Sequence, residues 1–137
     1  MIKLSEVLNR PKTGKPFTRV VYRGDDERFA EFDPEKIGRK GFETVGFWFS
    51  GTHDAAGFYG EHVRPFEITM KNPMVFTSED FRKAYPKGPP HLAQISKSRG
   101  HDGCVILDIM DGDRWSDVYC IFDKNQIKPV SQQSTVT

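Results

Sequence analysis

Trp48 and Tyr59 are the residues whose type and placement first suggest ligand binding. Trp48 lies in an aromatic run, Phe47–Phe49, which favours a short buried strand. Thr52 or Asp54 can cap a short helix after it. This strand, turn and helix would place two large rings around one gap, where a flat, weakly polar ligand fits. The alternative is that both rings belong to the hydrophobic core, the commoner role of aromatic runs in small domains.

A second candidate position follows the first predicted strand, Phe17–Tyr22. Gly24 directly after a strand lets a ligand approach the backbone closely. Arg23 has the planar, forked guanidinium that binds phosphate in a bidentate manner. A salt bridge from Arg23 to Asp25 or Asp26 is the competing interpretation, and the sequence leaves both open.

The elements that must hold these residues alternate between strands and short helices. Phe66–Met70 alternates apolar and polar residues, as a half-buried strand does. An Asp-Gly pair in residues 111–114 indicates a hairpin turn, and Ser78 can cap a helix that starts at Glu79. The other predicted elements are a helix near 91–98 and strands at Cys104–Met110 and Asp117–Asp123. This order predicts an α+β fold.

The composition narrows the class of protein. The chain has 137 residues and a net charge of +1, which suits one globular domain and argues neither for nor against nucleic acid. Its two cysteines lie in apolar runs, and its four histidines lack metal-ligand spacing, so no metal is expected. No long apolar segment or signal-peptide core is present, which predicts a cytoplasmic protein that contacts no membrane. We also expect a monomer.

Several motifs in order resemble a known family. The stretch from Gly46 to Tyr59 is similar to the second signature of the ADP-ribosyltransferase superfamily, and Tyr22-Arg23-Gly24 is similar to its first. Lys71-Asn72-Pro73 and Asn125-Gln126-Ile127-Lys128 resemble runs in the small ADP-ribosyltransferase domains of phage and bacterial polyvalent proteins. The Gly46–Tyr59 stretch is also similar to the poly(ADP-ribose) polymerase-like branch of the superfamily. The resemblance covers roughly residues 19–130.

The resemblance implies a split β-sandwich with short helices around an NAD cleft. It implies a glycosyl transfer in which ADP-ribose moves from NAD, used as a substrate, to a protein or nucleic-acid acceptor, and nicotinamide is released. Arg23 and Trp48 are then expected in catalysis. The NAD-binding residues would be Tyr22, Arg23, Gly24, Trp48, Phe49, Ser50 and Tyr59. The predicted divisions are an N-terminal helix and linker at 1–16, the domain at 17–130, and a disordered tail at 131–137.

The third family signature, a glutamate on the last strand, is missing from its expected place. Ungapped alignment puts Val118 there, with Asp117 one residue early and therefore facing away from the cleft in a regular strand. A β-bulge could restore Asp117, which we take as the first candidate; Asp113 or Asp111 could otherwise reach in. Without such a carboxylate, the chain would be a weak NAD or ADP-ribose binder. A non-enzymatic phage or bacterial inhibitor that binds a host protein is the other alternative.

Overall fold

A computed structural model describes residues 10–25, 45–84 and 86–130 of the chain. The predicted N-terminal helix and C-terminal tail lie outside these ranges. The strands in the described residues are β1 Phe17–Asp25, β2 Phe47–Ser50, β3 His62–Met70, β4 Pro73–Phe76, β5 Gly103–Asp111, β6 Arg114–Ile121 and β7 Ile127–Pro129. They form one mixed sheet in the order β4-β5-β6-β2-β1-β3-β7. The β4–β5 pairing is parallel and the other pairings are antiparallel.

Three short helices and one 3₁₀ turn join these strands. The helices are α1 His53–Ala56, α2 Ser78–Ala84 and α3 Gly88–Ser98, and the 3₁₀ turn spans Lys124–Gln126. Thr52 caps α1, because its side chain accepts from the Ala55 N–H at 3.2 Å. The cap of α2 is Thr77, not the predicted Ser78. Thr77 and Asp80 exchange side-chain-to-backbone hydrogen bonds of 2.8 and 3.1 Å.

Prolines and an early turn shift two predicted boundaries. The third helix begins at Gly88, before the predicted residue 91, because proline fits the first turn of a helix, where no N–H partner is needed. The last long strand runs over Arg114–Ile121 and not Asp117–Asp123, since the hairpin turn before it is short. Asp123 instead caps the 3₁₀ turn.

The main hydrophobic core combines residues from six of the strands, β1, β2, β3, β5, β6 and β7. Strands β1 and β2 are in register at Tyr22 and Ser50. The Phe49 ring of β2 lies 5.6 Å from the Phe66 ring of β3. Arg19 Nη1 of β1 donates to the Tyr119 hydroxyl of β6 at 2.8 Å. The α+β class is therefore confirmed. The split sandwich stays a prediction, because hydrogen bonds join the described strands into one sheet.

The hairpin of β5 and β6 contains a β-bulge that matters for the site. Ile106 pairs with Val118 and Ile109 pairs with Ser116, so Leu107 and Asp108 both face the single residue Asp117. Asp108 has a φ of 52°, in the left-handed region that residues with a side chain rarely adopt. The extra residue is in β5, whereas the sequence argument placed a possible bulge in β6.

Candidate functional site

A cavity of about 540 Å³ opens where the end of β1, strand β2, the segment after α1 and the β5–β6 hairpin meet. It contains every residue that the sequence predicted for NAD binding. These are Tyr22, Arg23, Gly24, Trp48, Phe49, Ser50 and Tyr59, and the remaining lining residues are Phe81, Pro89, Ile109, Met110, Asp111 and Val118. Four segments that are distant in the sequence therefore meet at one concave site.

The predicted pair of rings lies at this cavity, although its walls include residues that the sequence argument missed. Trp48 is partly buried and packs on the core beneath α3, whereas Tyr59 is 52% exposed. Phe81 of α2 and Pro89 of α3 add apolar wall. Neither had a chemical signal in the sequence, because only the packing of the two helices on the sheet brings them there.

Phe49 borders the cavity but its ring serves the core. Its side chain is 2% exposed, and the ring packs on Phe66. Neighbouring residues on a strand point to opposite faces. The Trp48 side chain therefore faces the cavity, whereas the Phe49 side chain packs in the core.

Gly24 has a packing reason to be glycine. A Cβ there would lie 2.0 Å from the carbonyl oxygen of Ala56 and 3.0 Å from that of Gly60. The end of β1 can therefore contact the backbone around α1 only without a side chain. The same close contact holds the backbone of β1 at the cavity edge.

Arg23 lies at the cavity wall with a defined backbone partner. Its Nη1 donates to the Trp48 carbonyl oxygen at 3.1 Å. This bond ties the guanidinium to the strand that carries the aromatic ring. The competing salt bridge involves the side chains of Asp25 and Asp26, which lie outside the described part of the chain, so that interpretation stays open.

Asp111 is the acidic residue that borders the cavity. It is 6% exposed, its Oδ1 accepts from the Tyr59 hydroxyl, and its Oδ2 is buried with no hydrogen-bond partner among the described residues. Burial raises the pKa of Asp111, while hydrogen bonds from the Ser50 and Tyr59 hydroxyls oppose that rise. A buried carboxylate oxygen without a donor is unfavourable, and a carboxyl group with a raised pKa at a cavity is a candidate functional residue.

Tyr59 is coupled to this carboxylate. Burial of its hydroxyl and the hydrogen bond to Asp111 both raise the pKa of Tyr59, so it stays protonated and acts as a donor. The Gly112 backbone also hydrogen-bonds to Tyr59, which opposes the rise. A Cβ on Gly112 would lie 2.4 Å from Phe58, so the hairpin turn packs tightly on the aromatic segment.

The structure does not bring Asp117, the first candidate for the carboxylate, to the cavity. Asp117 Oδ1 accepts from the Asp108 N–H at 2.9 Å on the opposite face of the hairpin, and Val118 borders the cavity in its place. Asp113 is exposed in the turn. Of the three candidates, Asp111 is the one among the lining residues. The bulge in β5 accounts for this outcome, and the signal for it was the lone polar Asp108 within an apolar strand.

Comparison with known proteins places the chain in a family. Residues 12–137 match the family described as ADP-ribosyltransferase in polyvalent proteins. The chain belongs to this family. The match begins within the segment predicted to be a linker. Membership supports, at a coarse level, the assignment of this chain as an ADP-ribosyltransferase domain.

A solved structure also resembles this family member, and the match is weak. It is a crystal structure of an anti-CRISPR protein, with 10% sequence identity and a TM-score of 0.42, and the alignment covers 88% of this chain and 100% of that one. A score of that size carries no argument about fold or function. No curated protein matches the chain.

Neither a metal-binding cluster nor a membrane-spanning helix is found within the described residues. Within residues 10–25, 45–84 and 86–130, no group of three or more histidine, cysteine, aspartate or glutamate side chains is arranged to hold a metal ion. Over the same ranges, no helix has the length and apolar character needed to cross a membrane.

Proposed function

We propose that this domain transfers ADP-ribose from NAD to a macromolecular acceptor and releases nicotinamide, with Asp111 as the carboxylate beneath the ribose. One observation carries the proposal. A buried carboxylate with an oxygen that lacks a donor lies in the same cavity as the two predicted rings and the predicted phosphate ligand. Family membership makes NAD the expected substrate.

Trp48 and Tyr59 would hold the nicotinamide ring. Both line the cavity, and Tyr59 is exposed enough for one face of its ring to meet a ligand. Aromatic faces bind a flat heteroaromatic ring by stacking. Tyr22, Phe49 and Ser50 shape the surrounding wall, and the Gly24 backbone would meet the carboxamide.

Arg23 would bind the pyrophosphate of NAD. Its guanidinium borders the cavity and donates to the Trp48 carbonyl oxygen at 3.1 Å. Forked geometry suits two oxygens of one phosphate. The residue thus links the phosphate to the strand that holds the nicotinamide ring.

Asp111 would stabilise the charge that develops during transfer. The bond between nicotinamide and ribose breaks with its electron pair leaving on nicotinamide, and the ribose becomes positively charged. The acceptor's nucleophilic atom then bonds to that ribose carbon and loses its proton. A fixed carboxylate in a partly dry cavity lowers the energy of such a transition state. The hydrogen bond from the Tyr59 hydroxyl to Oδ1 orients the Asp111 carboxylate at the cavity wall.

A second candidate function is binding of NAD or ADP-ribose without turnover. The observation in its favour is Val118, which borders the cavity at the position where the resemblance expects a glutamate. On this hypothesis the chain retains the NAD cavity but stabilises the ribose charge too weakly for catalysis.

Incubation with NAD separates the two functions. We expect nicotinamide release, measured by liquid chromatography, together with transfer of labelled ADP-ribose to a component of bacterial lysate. Protease-treated and nuclease-treated lysates would show whether the acceptor is protein or nucleic acid. The Asp111→Asn variant is the matched control and should release almost no nicotinamide. Calorimetric NAD binding with no release under any condition would establish the binder and contradict the transferase.

A further inference from the structure

The β5 bulge determines which face of the hairpin carries Asp111. Ile106 and Asp111 are an odd number of positions apart, so a regular strand would point them to opposite faces. Because Leu107 and Asp108 share one partner, Ile109 pairs with Ser116 and Asp111 pairs with Arg114. Asp111 therefore lies on the same face as Ile106 and Val118, which is the cavity side.

The bulge residue is held by contacts on the face of the hairpin opposite the cavity. Asp108 adopts a backbone conformation that is unfavourable for a residue with a Cβ. Its N–H donates to Asp117 Oδ1 at 2.9 Å. Its carboxylate forms an ion pair with Arg10 Nη2, at 2.9 Å to Oδ2 and 3.2 Å to Oδ1. Hydrogen bonds and an ion pair therefore fix both the backbone and the side chain of Asp108.

We propose that Asp117 is a positioning residue for Asp111. By accepting the Asp108 N–H, it holds the extra residue outside the regular pairing and keeps Asp111 on the cavity face. Arg10 assists from the N-terminal segment by fixing the Asp108 carboxylate. The role of Asp117 in turnover depends on the proposed function, whereas its role in the bulge does not.

A thiol reporter measures the placement of residue 111 without any need for activity. Residue 111 is buried, and both native cysteines, Cys104 and Cys120, are buried as well. In the Asp111→Cys variant we expect slow labelling by a thiol reagent. Adding Asp117→Ala leaves the Asp108 N–H without its acceptor, and labelling of residue 111 should accelerate roughly 10- to 100-fold. Cys104 and Cys120 should stay unlabelled, which excludes global unfolding.

Deletion of Asp108 supplies the matched rescue. Without the extra residue, Leu107 faces Asp117 and Ile109 still faces Ser116, so residue 111 remains on the cavity face in a regular strand. In this deletion background, Asp117→Ala should leave residue 111 as protected as before. In active protein, Asp117→Ala alone should lower kcat far more than it changes KM, and the deletion should restore kcat.

Every outcome of the labelling and deletion experiments either supports or overturns the positioning role of Asp117. The proposal is overturned if Asp117→Ala leaves residue 111 protected in folded protein, or if the deletion fails to restore protection. Should Asp117→Ala alone expose Cys104 and Cys120, a folded double variant with the deletion would still support the bulge role. An unfolded double variant would instead show that Asp117 serves general stability. A chain that releases no nicotinamide refutes the proposed function and leaves the labelling test intact.

Discussion

The carboxylates of Asp111 and Asp117 lie on opposite faces of the β5–β6 hairpin, and their hydrogen-bond environments differ. On the face opposite the cavity, the Asp117 carboxylate accepts a backbone N–H and lies near the Arg10 and Arg19 guanidinium groups, whose charges oppose the rise in its pKa caused by burial. On the cavity face, Asp111 has donors on one side but a buried oxygen with no partner among the described residues. Burial raises the pKa of both residues.

The difference shows how to separate a structural carboxylate from a functional one. A carboxylate whose interactions are satisfied within the fold contributes to folding. A carboxylate that is left partly unsatisfied beside a cavity destabilises the fold, and that cost is typical of a site that acts on a ligand. Position relative to the family signature would have selected Asp117, whereas hydrogen bonding selects Asp111.

The largest expected effect is on kcat, and it appears when aspartate is replaced by asparagine at residue 111 on one face and at residue 117 on the other. Asp111→Asn should lower the kcat of nicotinamide release by roughly 10²–10³, the scale of losing an electrostatic contact in the transition state. NAD affinity, measured by calorimetry, should change little. Asp117→Asn keeps an oxygen that can accept the Asp108 N–H, so kcat should stay within about threefold of the native value, since only the charge assistance is lost. The reverse order of effects would return the assignment to Asp117.

Why the sequence could not choose between these carboxylates follows from strand geometry. Alternation correctly indicated that Asp117 points away from the cavity, because β6 is regular through residues 116–118. What the sequence did not reveal was the extra residue in β5, which depends on the pairing of two strands and not on either alone. Asp111 was one of three open candidates, and only the register places it at the cavity.

The next effect tests the ring that lies beside the carboxylate. Tyr59→Ala removes both the ring and the hydroxyl, and NAD binding should weaken by roughly 1–3 kcal/mol. Tyr59→Phe keeps the ring, so affinity should be almost native, while kcat falls because Asp111 loses the donor to Oδ1. Calorimetry and steady-state rates on the two variants separate stacking from carboxylate orientation. Equal NAD affinity in the alanine variant and the native protein would contradict the stacking role.

Arg23 should show a smaller effect, confined to substrate binding. Arg23 is proposed to bind the pyrophosphate and not the ribose, so Arg23→Ala should raise the KM for NAD about tenfold and leave kcat nearly unchanged. Arg23→Lys should restore only part of the loss, since lysine lacks the fork. Full restoration by lysine would indicate simple charge attraction, and no effect from either variant would favour the salt bridge to Asp25 or Asp26.

Local motifs predicted the fold better than they predicted the walls of the site. The short helix after β2 and its Thr52 cap were readable because capping is a local interaction. Phe81 and Pro89 were not, since they reach the cavity through the packing of α2 and α3. The role of Gly24 in ligand binding stays a prediction, and the closest constraint on it in the structure is the carbonyl of Ala56, a contact between distant segments.

The smallest expected effect is the contribution of Asp111 to the free energy of unfolding. This contribution changes with pH in the opposite direction to kcat. Burial raises the pKa of Asp111 in the folded state above the unfolded value of about 4. The folded state therefore favours the protonated form, and stability decreases as pH rises from the unfolded pKa through the folded one. Turnover requires the ionised form, so kcat should increase over the same interval.

Asp111→Asn should remove the contribution of Asp111 to both trends. The stability trend that comes from Asp117, whose pKa burial also raises, should remain. At neutral pH the variant loses a buried charge that is only partly satisfied, so its free energy of unfolding should exceed that of the native protein by roughly 0.5–2 kcal/mol, the range of single stabilising substitutions. Urea unfolding at a series of pH values should show this gain shrinking as pH falls through the folded pKa of Asp111. The gain should be lost below the unfolded value of about 4, where Asp111 is neutral in both states. Asp113→Asn, in the exposed turn, is the control and should change neither curve. A variant that is less stable than the native protein at neutral pH would mean that the Asp111 carboxylate supports the fold, and the contrast between the two faces of the hairpin would then fail.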